Sequence, residues 1–151
     1  PGDNYHPQNS HVVPGLIRRF HEAKESGQKE VVCWGTGSPL REFLYCDDLA
    51  EACVFLMQNV DYTDMAFTDQ SGTVQAHINV GSGQEVSIFE LAQRVASAVG
   101  YEGAIEWDDT KPDGTPRKLM DSSRINALGW HASTDLGEGL ALAYRDFLST
   151  H

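Results

Sequence analysis

The sequence predicts an α/β fold, and two patterns carry that prediction. Short runs rich in β-branched and aromatic residues alternate with amphipathic helical runs along almost the whole chain. Most of the helical runs close at a glycine, the residue suited to ending a helix. A third observation bounds the prediction. The strands are few and short, and Gly81-Ser82-Gly83 lacks the third glycine of the Gly-x-Gly-x-x-Gly dinucleotide fingerprint. A complete doubly wound domain needs more than this chain offers.

Residues 1–10, PGDNYHPQNS, are turn formers and polar side chains, so they read as a loop that could line a site. Asn9 or Ser10 is placed to cap a helix over about 12–26, with Pro14 tolerated in its first turn. Val13, Leu16, Ile17, Phe20 and Ala23 recur at helical spacing as its buried stripe. At about 100° per residue, Arg18 falls opposite that stripe and is expected in solvent. Arg19 falls on the flank, where its stem can lie on the core and its head can reach a cleft. Gly27 suits the position that ends the helix.

Val31 to Trp34 reads as a strand, Thr36 to Pro39 as a turn, and Arg41 to Cys46 as a second strand. Asp47 and Asp48 then stand where N-capping and negative charge favour a helix start. The helix from Leu49 to about Asn59 is expected to bury Leu49, Cys53, Leu56 and Met57. Residues 60–76 show no sustained period and read as a polar surface loop. A strand over His77 to Val80 leads to Gly81-Ser82-Gly83. Ser87 and Glu90 form a capping-box pattern for a helix burying Ile88, Leu91, Ala92, Val95 and Val99, which stops at Gly100. Ala104 to Trp107 is a strand, and residues 108–118 (DDTKPDGTPRK) are a polar loop. A short helix follows, capped by Ser122 and ended by Gly129. The last helix starts at Asp135, with Leu136, Leu140, Ala143, Tyr144 and Phe147 inward.

A chain of 151 residues can bury one ordinary core, and 40% apolar with 22% charged residues fits a soluble globular class. The net charge is −11. An acidic field of that size opposes non-specific binding to nucleic acid or to an anionic membrane, though it permits one local basic pocket. Cys33, Cys46 and Cys53 make an odd set without a C-x-x-C pair, so they read as reduced core thiols and not as a zinc or disulfide framework. His6, His21 and His77 match no metal-ligand spacing, and no metal site is expected. The longest apolar run, Ala52 to Met57, is far too short to span a bilayer. No signal-peptide pattern opens the chain. Its start, Pro-Gly-Asp-Asn without an initiator Met, reads as the later part of a longer protein entered at a loop.

The stretch from Trp34 to Asp48 holds the strongest chemical signal. A planar aromatic, a Gly-rich loop and the Arg41 guanidinium could grip a flat base and a phosphate, but pattern alone favours a β-turn before a buried strand. His11, at a loop-to-helix junction, could donate a proton near neutral pH or simply bond a nearby backbone group. Lys111, Arg117 and Lys118 could bind a diphosphate or form a solvated face.

Three blocks together carry a family resemblance. They are Asp3-Asn4-Tyr5-His6-Pro7 through Ser10-His11-Val12 with Arg18-Arg19-Phe20-His21-Glu22; Trp34-Gly-Thr-Gly through Arg41-Glu42-Phe43-Leu44 with Asp47-Asp48; and Lys111-Pro-Asp-Gly-Thr-Pro-Arg117-Lys118. So spaced, they resemble the GDP-L-fucose synthase branch of the extended short-chain dehydrogenase/reductase family. The resemblance implies that this is the C-terminal, substrate-binding part of such an enzyme over 1–151. It would lack most of the Rossmann domain but retain some elements that complete it. The implied enzyme epimerises GDP-4-keto-6-deoxy-D-mannose at the 3- and 5-carbons and reduces the 4-keto group with NADPH, bound mainly by the preceding half. By the same likeness His11 serves proton transfer and lies near the cofactor. Arg19, Trp34, Arg41 and Asp113 contact the substrate; Trp34 and Arg41 hold the GDP part and Lys111 assists. The family's epimerisation Cys and its Ser-Tyr-Lys set lie upstream of Pro1, so the isolated piece is expected to be inactive. The implied parent is a cytoplasmic homodimer. Two alternatives remain at this point: another nucleotide-sugar epimerase or dehydratase, or a nucleotide-sugar-binding module without catalysis.

Overall fold

The computed structural model describes residues 1–151 and divides them into two compact units. The first comprises Pro1–Arg41, Glu85–Lys118 and Leu136–His151; the second comprises Glu42–Gln84 and Leu119–Asp135.

In the first unit, helix α1 (Val12–Glu25) buries Leu16, Ile17, Phe20 and Ala23. His11 holds its N-cap position without a side-chain capping bond, so neither Asn9 nor Ser10 caps it. The helix closes in a Schellman turn, in which Gln28 N donates to Ala23 O (2.8 Å) and Gly27 N to Lys24 O (3.2 Å). Strand β1 (Glu30–Trp34) follows. Its partner is β6 (Ala104–Asp108), parallel, in a register running from Glu30↔Ala104 to Trp34↔Asp108. Alternation on β1 turns Val31 and Cys33 inward and leaves Val32 and Trp34 exposed. Helix α4 (Ile88–Val99) buries Leu91, Ala92, Val95, Ala96 and Val99, and packs on α1 and on the last helix, α6 (Leu136–Thr150). Each large apolar side chain so buried contributes roughly 1.5–3 kcal/mol. Only half of the expected capping box forms. Ser87 Oγ accepts Glu90 N at 3.0 Å, whereas the Glu90 carboxylate turns to Arg94 at 2.6 Å.

Arg18 is the first departure from expectation. The loop over residues 1–10 folds back because Tyr5 buries itself, its ring 4.9 Å from that of Phe147 and its hydroxyl 3.3 Å from Ala143 O. Arg18, half-buried as a result, donates to Tyr5 O (3.1 Å) and pairs with Glu22 (2.6 Å). Arg19 is the exposed one of the two.

A second sheet has the order β5 (Glu85–Ser87), β2 (Leu40–Glu42), β7 (Arg117–Lys118), with Leu40↔Arg117 and Arg41↔Lys118 parallel. β2 stops at Glu42, well short of the expected Cys46, and its ladder with the two-residue β7 ends at Arg41.

The second unit is built around α2 (Cys46–Asn59). Ala52, Ile125 and Trp130 form its core, with Leu44, Phe55, Leu56, Ile78, Val80 and Ala132 packed against them. Three of the four positions expected to be buried on α2 are not. Leu56 does face the core, but Leu49, Cys53 and Met57 are exposed, Met57 at 77%. The helix is apolar on two faces, and the unit's core takes the one carrying Asp48, Ala52 and Phe55. Cys46 is exposed too, so Cys33 alone is a buried thiol. Asp48 does not cap α2. It is 3% exposed, and its carboxylate accepts Ser133 Oγ (3.0 Å), Thr134 Oγ1 (3.0 Å) and Thr134 N (2.9 Å).

Residues 60–76 also depart from the expected loop. They form α3 (Tyr62–Met65), opened by a reciprocal Asp61/Asp64 capping box, and an antiparallel pair, β3 (Phe67–Thr68) with β4 (Val74–Gln75). His77 to Val80 is not a strand, since no neighbouring strand pairs with it. Helix α5 (Ser123–Ala127) completes the unit, with Ser122 at its N-cap position but without a side-chain capping bond. No helix in the chain is long and apolar enough to cross a membrane.

Candidate functional site

The first unit brings four of the expected residues onto two facing segments, 34–41 and 108–118. β1 ends at Trp34, and alternation puts its ring 68% in solvent. Gly35 N continues the ladder by donating to Asp108 O at 2.9 Å. Across from it, β6 ends at Asp108, whose carboxylate accepts Thr110 N (3.1 Å) and Thr110 Oγ1 (2.5 Å). Lys111 N closes the same turn onto Asp108 O at 3.2 Å. That turn carries the Lys111 ammonium to 6.0 Å over the Trp34 ring. The Thr110 hydroxyl bond holds the Asp108 carboxyl below its ordinary value, with Lys111 nearby as a smaller cause.

Asp113 joins the two loops. Its Oδ1 accepts Thr36 N at 2.9 Å and its Oδ2 accepts Thr36 Oγ1 at 2.6 Å. These bonds, the hydroxyl first, hold its carboxyl below the ordinary carboxylate range. The approach depends on Gly35, with φ +81°, because a Cβ there would lie 2.3 Å from Asp113 Oδ1. Arg41 is half-buried; Nη1 donates to Leu40 O (2.7 Å) and Nη2 lies 3.1 Å from where a Cβ on Gly114 would be. Trp34, Arg41, Lys111 and Asp113 are therefore held on the 34–41 and 108–118 segments. The arrangement offers an open aromatic face, two cations and an ionised carboxylate. That set can stack a planar base, meet phosphate charge and accept from a hydroxyl or amide N–H.

His11 and Arg19 stand on α1. His11 is exposed at the helix start. Arg19 Nη1 donates to Val32 O at 3.1 Å, which places the guanidinium against β1 two residues before Trp34. It also opposes the effect of burial on Cys33, whose thiol is pushed above its ordinary value by that burial. The basic cluster at 111–118 is smaller than its sequence suggests. Arg117 forms a two-pronged ion pair with Glu85 (2.7–3.1 Å), so its guanidinium is already engaged.

Sequence reasoning missed Thr36, Glu42 and Glu85. Glu42 matters most for the meaning of Gly81-Ser82-Gly83. Its Oε1 accepts Gly83 N at 2.6 Å, its Oε2 accepts Met120 N at 3.1 Å, and a Cβ on Gly81 would lie 2.4 Å from Oε1. The Gly-Ser-Gly turn is a cradle for the protein's own carboxylate and does not fit a dinucleotide phosphate. A hydroxyl one residue into a glycine turn was the available signal for Thr36; nothing local to Glu42 or Glu85 announced their partners, which are 41 and 32 residues away.

Comparison with known proteins places the chain in a family. Residues 1–81 match the NAD dependent epimerase/dehydratase family, and the chain belongs to that family. Within it, the chain is 57% identical over 148 residues to GDP-L-fucose synthase 1 of Arabidopsis thaliana and 47% identical over 148 residues to GDP-L-fucose synthase of Escherichia coli. In each case 98% of the chain is covered, but the chain spans only 42% and 45% of those relatives' length. Among solved structures, a GDP-6-OMe-4-keto-L-xylo-heptose reductase from C. jejuni superposes with TM-score 0.85 at 33% identity, over 98% of this chain and 50% of that one. A GDP-L-fucose synthetase from Naegleria fowleri, solved with NADP among other forms, superposes with TM-score 0.80 at 25% identity, over 99% and 43%.

Proposed function

We propose that the protein containing this chain makes GDP-L-fucose from GDP-4-keto-6-deoxy-D-mannose, and that this chain holds the GDP-sugar. The observation that carries the reading is the convergence of Trp34, Arg41, Lys111 and Asp113 on the facing 34–41 and 108–118 segments. Relatives named GDP-L-fucose synthase, similar along 98% of the chain, support the substrate. Trp34 takes the guanine on its open face, Arg41 and Lys111 meet the diphosphate, and Asp113 accepts from the nucleoside. Arg19 reaches the substrate from α1.

The 3- and 5-carbons of the sugar both flank the 4-ketone, so their protons are acidic once the enolate charge is stabilised. Inversion removes a proton on one face and returns one on the other. His11 is the group in this chain that moves a proton in that exchange, and it borders the cofactor. NADPH supplies the hydride for the final reduction. No dinucleotide cradle exists in these residues, so the preceding half of the parent holds it. Elements of the second unit complete that half, which covers the exposed Leu49, Cys53 and Met57 face of α2. The relatives, more than twice this chain's length, have the extra residues to do so. The parent works in the cytoplasm as a homodimer.

Calorimetric titration of the full-length protein with GDP, UDP and dTDP tests the reading. GDP binds best, and Trp34→Ala weakens it by about 5- to 100-fold, the range for losing one base–aromatic stack. In the same protein His11→Gln slows solvent-deuterium entry at the 3- and 5-carbons while GDP affinity holds. Equal affinity for the three nucleotides, or a Trp34→Ala protein that binds GDP as well as the parent, sinks the assignment.

A further inference from the structure

We propose that Thr36 is a positioning residue that presets the 109–116 loop for the nucleotide; the inference rests on the GDP-sugar reading above. One residue holds both oxygens of Asp113, its N–H on Oδ1 and its hydroxyl on Oδ2, across 77 positions of sequence. The proton accounting makes the clamp directional. Thr36 Oγ1 has one proton, and a carboxylate can only accept, so that proton goes to Asp113. Oγ1 also lies 3.1 Å from Ser38 N and 2.7 Å from Ser38 Oγ, and both of these therefore donate to it. Two donors behind the hydroxyl polarise it toward the carboxylate.

The clamp sits at the middle of the loop. Two residues before Asp113, Lys111 stands over Trp34; one residue after it, Gly114 lies against Arg41. Fixing Asp113 thus fixes the loop relative to each of the nucleotide-binding side chains at once. Each carboxylate oxygen keeps a lone pair for a ligand donor, so Thr36 orders Asp113 without consuming it. A loop ordered beforehand loses less conformational freedom when ligand arrives, and affinity rises without a new contact to the ligand.

Thr36→Val keeps shape and the N–H bond but removes the hydroxyl, and Thr36→Ser restores it. In the full-length protein, Thr36→Val raises the GDP Kd and the KM for the GDP-sugar by about 5- to 30-fold while kcat stays within about twofold. Amide hydrogen exchange over 109–116 in the ligand-free protein speeds up, and Thr36→Ser returns all three readouts to within about twofold. An unfolding midpoint within about 2 °C of the parent, the small change that loss of one surface hydroxyl brings, excludes general destabilisation. Arg19→Ala serves as the control that weakens GDP-sugar binding from α1, where its guanidinium lies against Val32 O and not against the loop, without altering loop exchange. If the parent protein fails to bind GDP, the functional reading falls and this inference with it. If the parent and Arg19→Ala behave as expected but Thr36→Val binds GDP normally or leaves loop exchange unchanged, Thr36 alone is refuted.

Discussion

Replacing Asp48 by Asn and by Ala separates charge from hydrogen bonding at the best-buried carboxylate of the second unit. Oδ1 accepts two hydroxyls, from Ser133 and Thr134, and Oδ2 accepts the Thr134 backbone N–H. An Asn can aim its oxygen at that N–H and its amino group at the hydroxyls, which can rotate to accept. It loses mainly the charge assistance, about 1–2 kcal/mol. Ala strands the N–H, which cannot rotate, and removes all three bonds, for about 3–4 kcal/mol. At about 2–4 °C per kcal/mol for a domain of this size, the midpoint falls by roughly 2–8 °C for Asn and 6–16 °C for Ala. The pH dependence follows from the direction of the Asp48 shift. Burial alone would raise its pKa, but the bonds from Thr134 and Ser133 outweigh it and hold the carboxyl below the ordinary 3.8. Its contribution is complete above the unfolded-state value of about 4 and is lost as pH falls through the lower folded value. Thermal unfolding followed by circular dichroism from pH 7 down to pH 3 should show the parent and Asp48→Asn curves converging below about pH 4. An Asn variant as stable as the parent at pH 7, or a gap that stays constant to pH 3, would refute the account.

Other consequences are measurable. Glu42→Gln turns an N–H donor toward either Gly83 N or Met120 N and lowers the unfolding midpoint; Gly81→Ala, which drives a methyl into the same carboxylate, does so as well, and the double variant falls by less than the sum of the two. Phe20, fully buried in α1, is worth about 3–5 kcal/mol against Ala in chemical denaturation. Asp69 accepts from Ser71, Gln75 and Thr73, and its carboxyl titrates at about 2 instead of the ordinary 3.8. By NMR titration Ser71→Ala moves that midpoint upward, and any stability Asp69 lends is lost between those two values as pH falls.

The elements that read correctly from sequence are those whose burial is decided locally. The apolar stripe of α1, its glycine stop and the α4 stripe each lie within one helix, and the helical period suffices to find them. α2 defeats the same method because its sequence is apolar on two faces, and only Ile125 and Trp130, some seventy residues away, decide which face turns in. Arg18 is misread for a related reason. Its exposure depends on where Tyr5 docks, and that is set by Phe147 at the far end of the chain. At the candidate site, residue types were legible and their partners were not. Trp34, Arg41 and Lys111 stand out by residue type and spacing, but the clamp between the 34–41 and 108–118 segments depends on a Thr–Asp pairing that no local pattern specifies.

The Glu42 carboxylate in the Gly-Ser-Gly turn has a consequence for anion competition. A tethered carboxylate already seated on Gly83 N presents itself at an effective concentration set by the chain and not by the solution, commonly millimolar or more for short connections. Free phosphate or nucleotide arriving at that turn must displace an internal rival that never diffuses away. The turn is occupied from within, so the protein carries a glycine-rich loop without advertising a free phosphate receptor there.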